Sequence, residues 1–194
     1  MKTEQRIFKA ITPEHREDAL DFVQQVFTEY KDAQEGAEVR ALVEEIRRKA
    51  YYLPELELIA VDEHDGLIGY AMFSRFHLGG RFENELLLLS PVCVKTALQR
   101  QHISKELLEY GFEKARKLGY KAVIVEGNPA NYRARGFVTA ANVGILPGKT
   151  VHLPHIDCLM AMELEKGAFA RIRGVVEYDM YECLTSPEEP KQKG

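Results

Sequence analysis

Four consecutive leucines, Leu86 to Leu89, followed by Ser90 and Pro91, constrain this 194-residue chain more than any other stretch. A run that is apolar on both faces needs both faces covered, so Leu86 to Val94 is expected to be a central strand of a sheet. Pro91 cannot donate to a ladder, so the strand is expected to bulge or part from a neighbour there, freeing backbone groups on one side. The turn KTALQRQHIS follows, and from Ile103 the residues Leu107, Leu108, Gly111, Ala115 and Leu118 form a helical stripe with Gly119 placed to stop it. A second short apolar run, Ala122 to Val125, completes a strand-turn-helix-strand order.

The rest of the chain supplies elements to pack around this unit. Ile7, Phe8 and Ile11 predict a first strand, and Thr12-Pro13-Glu14 begins a helix whose buried face carries Ala19, Leu20, Phe22, Val23, Val26 and Phe27. A second helix is expected from Val39 to Ala50. Leu56 to Val61 and Leu67 to Phe73 read as an antiparallel hairpin turned by Asp65-Gly66, and Ile156 to Leu164 alternates weakly as a late strand. Together these give a mixed α/β domain, mostly antiparallel, with helices on both faces. Length fits a single domain over 1–185, with the tail 186–194, SPEEPKQKG, expected to be disordered.

Composition excludes several function classes. Hydrophobic residues make up 45% and charged ones 29%, and no apolar run is long enough to span a bilayer. The sequence MKTEQRIFKA lacks the apolar centre of a secretory signal, and Cys93, Cys158 and Cys183 do not form a disulfide framework. A cytoplasmic protein is expected. Net charge is -4 with basic and acidic residues interleaved, which argues against a nucleic-acid partner. The ligand-type side chains of His152, His155, Asp157 and Cys158 match no common zinc spacing, so no metal is expected, and the stretch reads as a loop entering a strand.

A helix start after a strand gathers free N–H groups, so an anion such as a pyrophosphate fits near Gln101 to Ser104, with Arg100 and Lys95 as flanking cations. A plain helix cap satisfies the same residues. At this point the chain resembles the GNAT acetyltransferase superfamily, and within it the small bacterial YhbS-like predicted N-acetyltransferases. The family strand L-x-P-x-x-V corresponds to Leu89-Ser90-Pro91-Val92-Cys93-Val94. Its pyrophosphate loop Q/R-x-x-G-x-G/A corresponds to Gln99-Arg100-Gln101-His102-Ile103-Ser104. Its G-D-P-x-Y-Y-x-x-x-G-F corresponds to Gly127-Asn128-Pro129-Ala130-Asn131-Tyr132-Arg133-Ala134-Arg135-Gly136-Phe137, and the likeness extends to MAMELEKGAFARIRGVVEY.

The resemblance implies an acetyl-CoA-dependent N-acetyltransferase. Pantetheine would lie beside the parted strand at Val92, Cys93 and Val94, and the pyrophosphate would sit on residues 99 to 104, with Asn131 nearby. An amine of a small molecule or a protein would attack the thioester directly. Tyr132 would protonate the leaving sulfur, and the Val94 N–H would polarise the carbonyl. Two departures stand out. His102 and Ser104 occupy the places of the family's two small loop residues, and His102, where the family has glycine, either obstructs phosphate or adds a donor to it. Leucines fill positions 86 to 89, where some members carry a glutamate base; Glu83 and Glu85 read first as a solvated strand end and otherwise as bases acting through water, and a water chain or an amine already neutral on arrival would remove the need for a protein base. Tyr51, Tyr52, Phe73, Phe76 and His77 could line an acceptor pocket or simply pack the core, and the acids between Asp32 and Glu45 could attract a cation or be a solvated face. The alternative function is a non-catalytic relative that binds a CoA ester or a protein. A homodimer is left open.

Overall fold

The computed structural model describes residues 6–184, so the expected tail lies outside the described residues. Strand β1 (Ile7–Ala10) leads through a 3-10 turn at Pro13–His15 into helices α1 (Arg16–Tyr30) and α2 (Ala33–Arg47). The hairpin β2 (Glu57–Val61) and β3 (Leu67–Leu78) follows, then β4 (Arg81–Val94), α3 (Ile103–Lys117), β5 (Ala122–Glu126) and the short helix α4 (Pro129–Arg133). The chain ends in β6 (Val138–Thr139), β7 (Ile145–Pro147), β8 (Leu159–Glu163) and β9 (Gly174–Val176). Seven strands form one sheet in the order β1-β2-β3-β4-β5-β8-β6, and β7 pairs with β9 separately. In the large sheet β4 and β5 run parallel and the other pairs are antiparallel. This is the mixed α/β architecture expected, with β4 at its centre.

Alternation along the strands sorts the core into two layers. Ile59, Val61, Tyr70, Met72, Leu86 and Leu88 face α1 and α2, whereas Leu58, Ala60, Ala71, Phe73, Leu87 and Leu89 face α3. Helix α3 seats deeply because Gly111 has no side chain: a Cβ there would lie 2.6 Å from Phe73 Cε2 and 2.8 Å from Leu58 Cδ1. Gly119 follows the helix with φ of 91°, as its sequence position predicts.

Several boundaries differ from expectation. Helix α2 begins at Ala33, six residues before Val39, because Asp32 caps it by accepting the Glu35 N–H at 2.8 Å. Strand β3 continues to Leu78 and β4 starts at Arg81. The two are joined by Gly79-Gly80, whose φ values of 59° and 76° make the two-residue turn that suits a right-twisted hairpin. Strand β8 starts at Leu159, since Ile156–Cys158 form a 3-10 turn.

Candidate active site

The parallel ladder between β4 and β5 consists of three pairs, Leu86 with Ala122, Leu87 with Val123 and Leu88 with Ile124. Beyond Leu88 the strands part, and β4 shifts register against β3 between Phe73–Leu89 and Ala71–Val92, where Ser90 and Pro91 form the extra length. The parting expected at Pro91 is therefore present. Lys95 donates its N–H to Ile68 at 3.0 Å, and antiparallel alternation from that bond turns the backbone of Cys93 toward Tyr70 in β3. Val92 and Val94 turn theirs toward the gap. Cys93 is thus a core residue, buried with its thiol pushed up by desolvation, and its backbone is not available to a ligand in the gap.

Past β4 the chain makes a 3-10 turn at Thr96–Leu98 and reaches α3 through Arg100 and His102, both left-handed with φ of 63° and 65°. His102 thus adopts the backbone that the family's glycine favours, while keeping an exposed side chain. Left-handed residues next to a helix start gather N–H groups into an anion-binding concavity. Gln99, Arg100 and Gln101 are exposed, Ile103 is buried against the sheet, and Ser104 is half-buried. Two cations that the sequence reading missed reach this loop. Arg6 donates to the Gln101 carbonyl at 2.8 Å, and Arg135 donates to Ser104 Oγ at 2.7 Å from across the α3–α4 groove. That groove, of about 300 Å³, is lined by both basic and acidic side chains, Lys105, Arg116 and Arg135 with Glu109 and Glu113.

Tyr132 is placed by its local sequence. Asn128 caps α4 by accepting the Ala130 N–H at 3.0 Å, Pro129 occupies the first turn, and the Tyr132 carbonyl closes the helix by accepting from Arg135 and Phe137. Its ring meets Phe137 edge-on at 5.4 Å and lies over Gly127, where a Cβ would come within 2.6 Å of Tyr132 Cε2. The phenol therefore stands against the end of β5, beside the gap. Burial pushes its pKa up, partly offset by Arg135, so it is protonated near neutrality. Asn131, on the same helix, is exposed, and its carbonyl accepts from Arg135.

Glu83 and Glu85, the carboxylates at the strand entrance, do not reach this place. Glu85 is ion-paired with Arg171 and Lys121, and the Arg171 bond holds its carboxyl below the usual range. At about 3.3 Å per residue, Glu85 and Glu83 lie roughly 17 and 23 Å back along β4 from Ser90. Glu126, absent from the sequence reading, ends β5 at the fork itself and accepts from the Tyr178 hydroxyl at 3.1 Å. Its signal was the carboxylate closing the apolar run KAVIVEG. Phe73 and Phe76 are fully buried core residues on opposite faces, Tyr52 is bonded to Glu57, and His77 stacks on Phe76, so these do not form a pocket wall. Asp157 pairs with Arg133 and accepts from Thr139, fixing the loop before β8 to its neighbours. Most acids of α2 cap it or lie on its outer face, with Glu45 buried as the exception.

The Acetyltransferase (GNAT) family model matches residues 20–141, and the chain belongs to that family. An uncharacterized N-acetyltransferase of Escherichia coli strain K12, YhbS, is 30% identical over 140 residues, covering 71% of this chain and 78% of that protein. The crystal structure of E. coli YhbS in complex with CoA superposes with a TM-score of 0.77 at 21% identity over 92% of each chain. A GNAT family acetyltransferase from Brucella melitensis in complex with acetyl-CoA gives 0.55 at 25% identity, over 69% of this chain and 83% of that one. Among the described residues no helix is long and apolar enough to cross a membrane.

Proposed function

We propose that this chain transfers the acetyl group of acetyl-CoA directly to the nitrogen of an amine, with Tyr132 as general acid. The observation that carries the reading is the fork, where β4 and β5 part directly after Leu88 and Ile124 and the Tyr132 ring lies over Gly127. Pantetheine is a chain of amides, and the outward backbone groups of Val92 and Val94 are what such a chain pairs with. The amides of Gln99, Arg100, Gln101, His102, Ile103 and Ser104 would hold the pyrophosphate, with Arg100, Lys95 and Arg135 supplying positive charge. Asn131 flanks the same path on α4. Val92 carries the first outward N–H beyond the fork, so it takes over from Val94 the role of polarising the thioester carbonyl.

In this reading a neutral amine attacks the thioester carbon. As the new C–N bond forms, the C–S bond breaks, and Tyr132 gives its proton to the departing thiolate. The phenol is restored by the proton the nitrogen sheds on becoming an amide. Calorimetric titration with acetyl-CoA tests the first half: micromolar binding, weakened by Arg100→Ala, is expected. Absence of binding at millimolar ligand would shift the reading to the scaffold alternative, in which His102 and Ser104 close the loop. Tyr132→Phe tests the second half. Thiol release in the presence of an amine should fall about 10²–10⁴-fold while acetyl-CoA affinity stays nearly unchanged.

A further inference from the structure

We propose that Arg135 is a positioning residue of this site: it ties the turn that carries Tyr132 to the first turn of α3, so that the turn seating the pyrophosphate also sets where the phenol stands. The inference rests on the acetyltransferase reading and concerns how the two halves of that site are kept in register.

Helix α4 has five residues, too short a helix to hold its own place. Its end is closed instead at Gly136, whose φ of 90° lets the Phe137 and Gly136 N–H groups reach back to the Tyr132 and Arg133 carbonyls at 3.2 and 3.1 Å. Arg135 lies inside that closure, and its own N–H donates to the Tyr132 carbonyl at 2.9 Å. Displacing Arg135 therefore displaces Tyr132.

The guanidinium reaches both ways. One terminal nitrogen donates to the Asn131 carbonyl within α4, and the other donates to Ser104 Oγ at 2.7 Å. Ser104 is the second residue of α3, among the amides assigned to the pyrophosphate. Among the described residues this is the one hydrogen bond joining residues 129–135 to α3. The other link is apolar, running from Tyr132 through Phe137 to Phe112, with rings 5.4 and 5.9 Å apart. Phe112 lies roughly 12 Å along α3 from Ser104, at 1.5 Å per residue. Ring contacts there set how far α4 stands from the helix, and the directional bond at Ser104 sets where it stands along it.

Charge acts in the same sense. Burial opposes ionisation of the Tyr132 phenol, and Arg135 favours it. Among the charged side chains of α4, α3 and the end of β5, such as Arg133, Lys105 and Glu126, only Arg135 acts on the phenol in this way. When Tyr132 gives its proton to the thiolate, the phenoxide left behind already faces a fixed cation. Arg133 is the natural comparison: it pairs with Asp157 at 3.2 Å, holding α4 to the loop before β8 without touching α3.

The test places difluorotyrosine at position 132, where its fluorine resonances report both the position and the ionisation of the phenol without any acceptor amine. The added probe is 3′-phospho-ADP, the pyrophosphate end of CoA without its pantetheine arm. In the parent protein, saturating 3′-phospho-ADP should shift the resonance. Ser104→Ala, which keeps the charge and the backbone amide, and Arg135→Met should each abolish that shift at saturation, whereas Arg133→Ala should keep it. Arg135→Met should also move the titration midpoint of the phenol to higher pH, and Arg135→Lys, which keeps the charge, should restore much of it. A shift that survives both Ser104→Ala and Arg135→Met, binding in the parent without a shift, or equal effects of Arg133→Ala and Arg135→Met would overturn the proposal. Failure to bind CoA or 3′-phospho-ADP would overturn the underlying reading of the site instead.

Discussion

The two sides of the sheet are built differently. Under α3 the core is made of side chains such as Leu58, Phe73, Leu87, Leu107 and Phe112, which pack without direction. Under α1 and α2 the core encloses carboxylates: Glu57 is fully buried, and Glu45 nearly so. Glu57 accepts from Arg47, from the Tyr52 hydroxyl at 2.5 Å and from the Tyr70 hydroxyl at 2.8 Å, while Glu45 accepts the N–H groups of Glu182 and Cys183. Directional bonds of this kind fix positions more narrowly than apolar contact does. The difference suits the proposed division of labour: the α3 side holds one helix start at a set height for a common cosubstrate, and the other side must hold the shape that an acceptor meets.

The largest test of that contrast is Arg47→Met. It leaves Glu57 buried without its cation, and the expected loss is about 3–5 kcal/mol, read as a lower urea midpoint with unchanged slope. Arg47→Met combined with Glu57→Leu should recover much of that loss. If the single variant costs less than about 1 kcal/mol, the polar side is no more tightly specified than the apolar one.

A middle-sized effect belongs to the apolar side. Gly111→Ala places a methyl group against Phe73 and Leu58, and overpacking of that kind costs about 1–3 kcal/mol, or several degrees in Tm. Because α3 would have to lift from the sheet, acetyl-CoA affinity should fall along with stability. A loss of stability alone would show that the loop before α3 holds its place independently of the helix seat.

The same contrast explains what could be read in advance. Helix α3, the strands around it and the parting at Pro91 follow from period and from one missing N–H, both local properties of the sequence. Asn128, Pro129 and Gly136 likewise announce how Tyr132 is presented. The polar side is different, since Glu57 meets Arg47, Tyr52 and Tyr70, and Glu126 meets Tyr178, 52 residues further on. Nothing in the spacing of those residues names their partners. Arg135 is hidden for the same reason: in sequence it is one more basic residue, and only the fold brings it to Ser104. Glu83 and Glu85 at the entrance of the central strand read first as a solvated strand end, and strand direction together with the Glu85 ion pairs agrees.

The smallest effect sharpens the comparison where the loop meets α3. His102 holds φ of 65° with a Cβ present, a conformation that costs a non-glycine residue about 1 kcal/mol or more. His102→Gly relieves that cost but adds freedom to the unfolded chain, which takes back part of the gain. The net expectation is a Tm higher by about 1–3 °C. The accompanying change in acetyl-CoA affinity decides what the imidazole does. Tighter binding means that the ring stood in the way of the phosphates, and weaker binding means that a ring N–H was one of their donors.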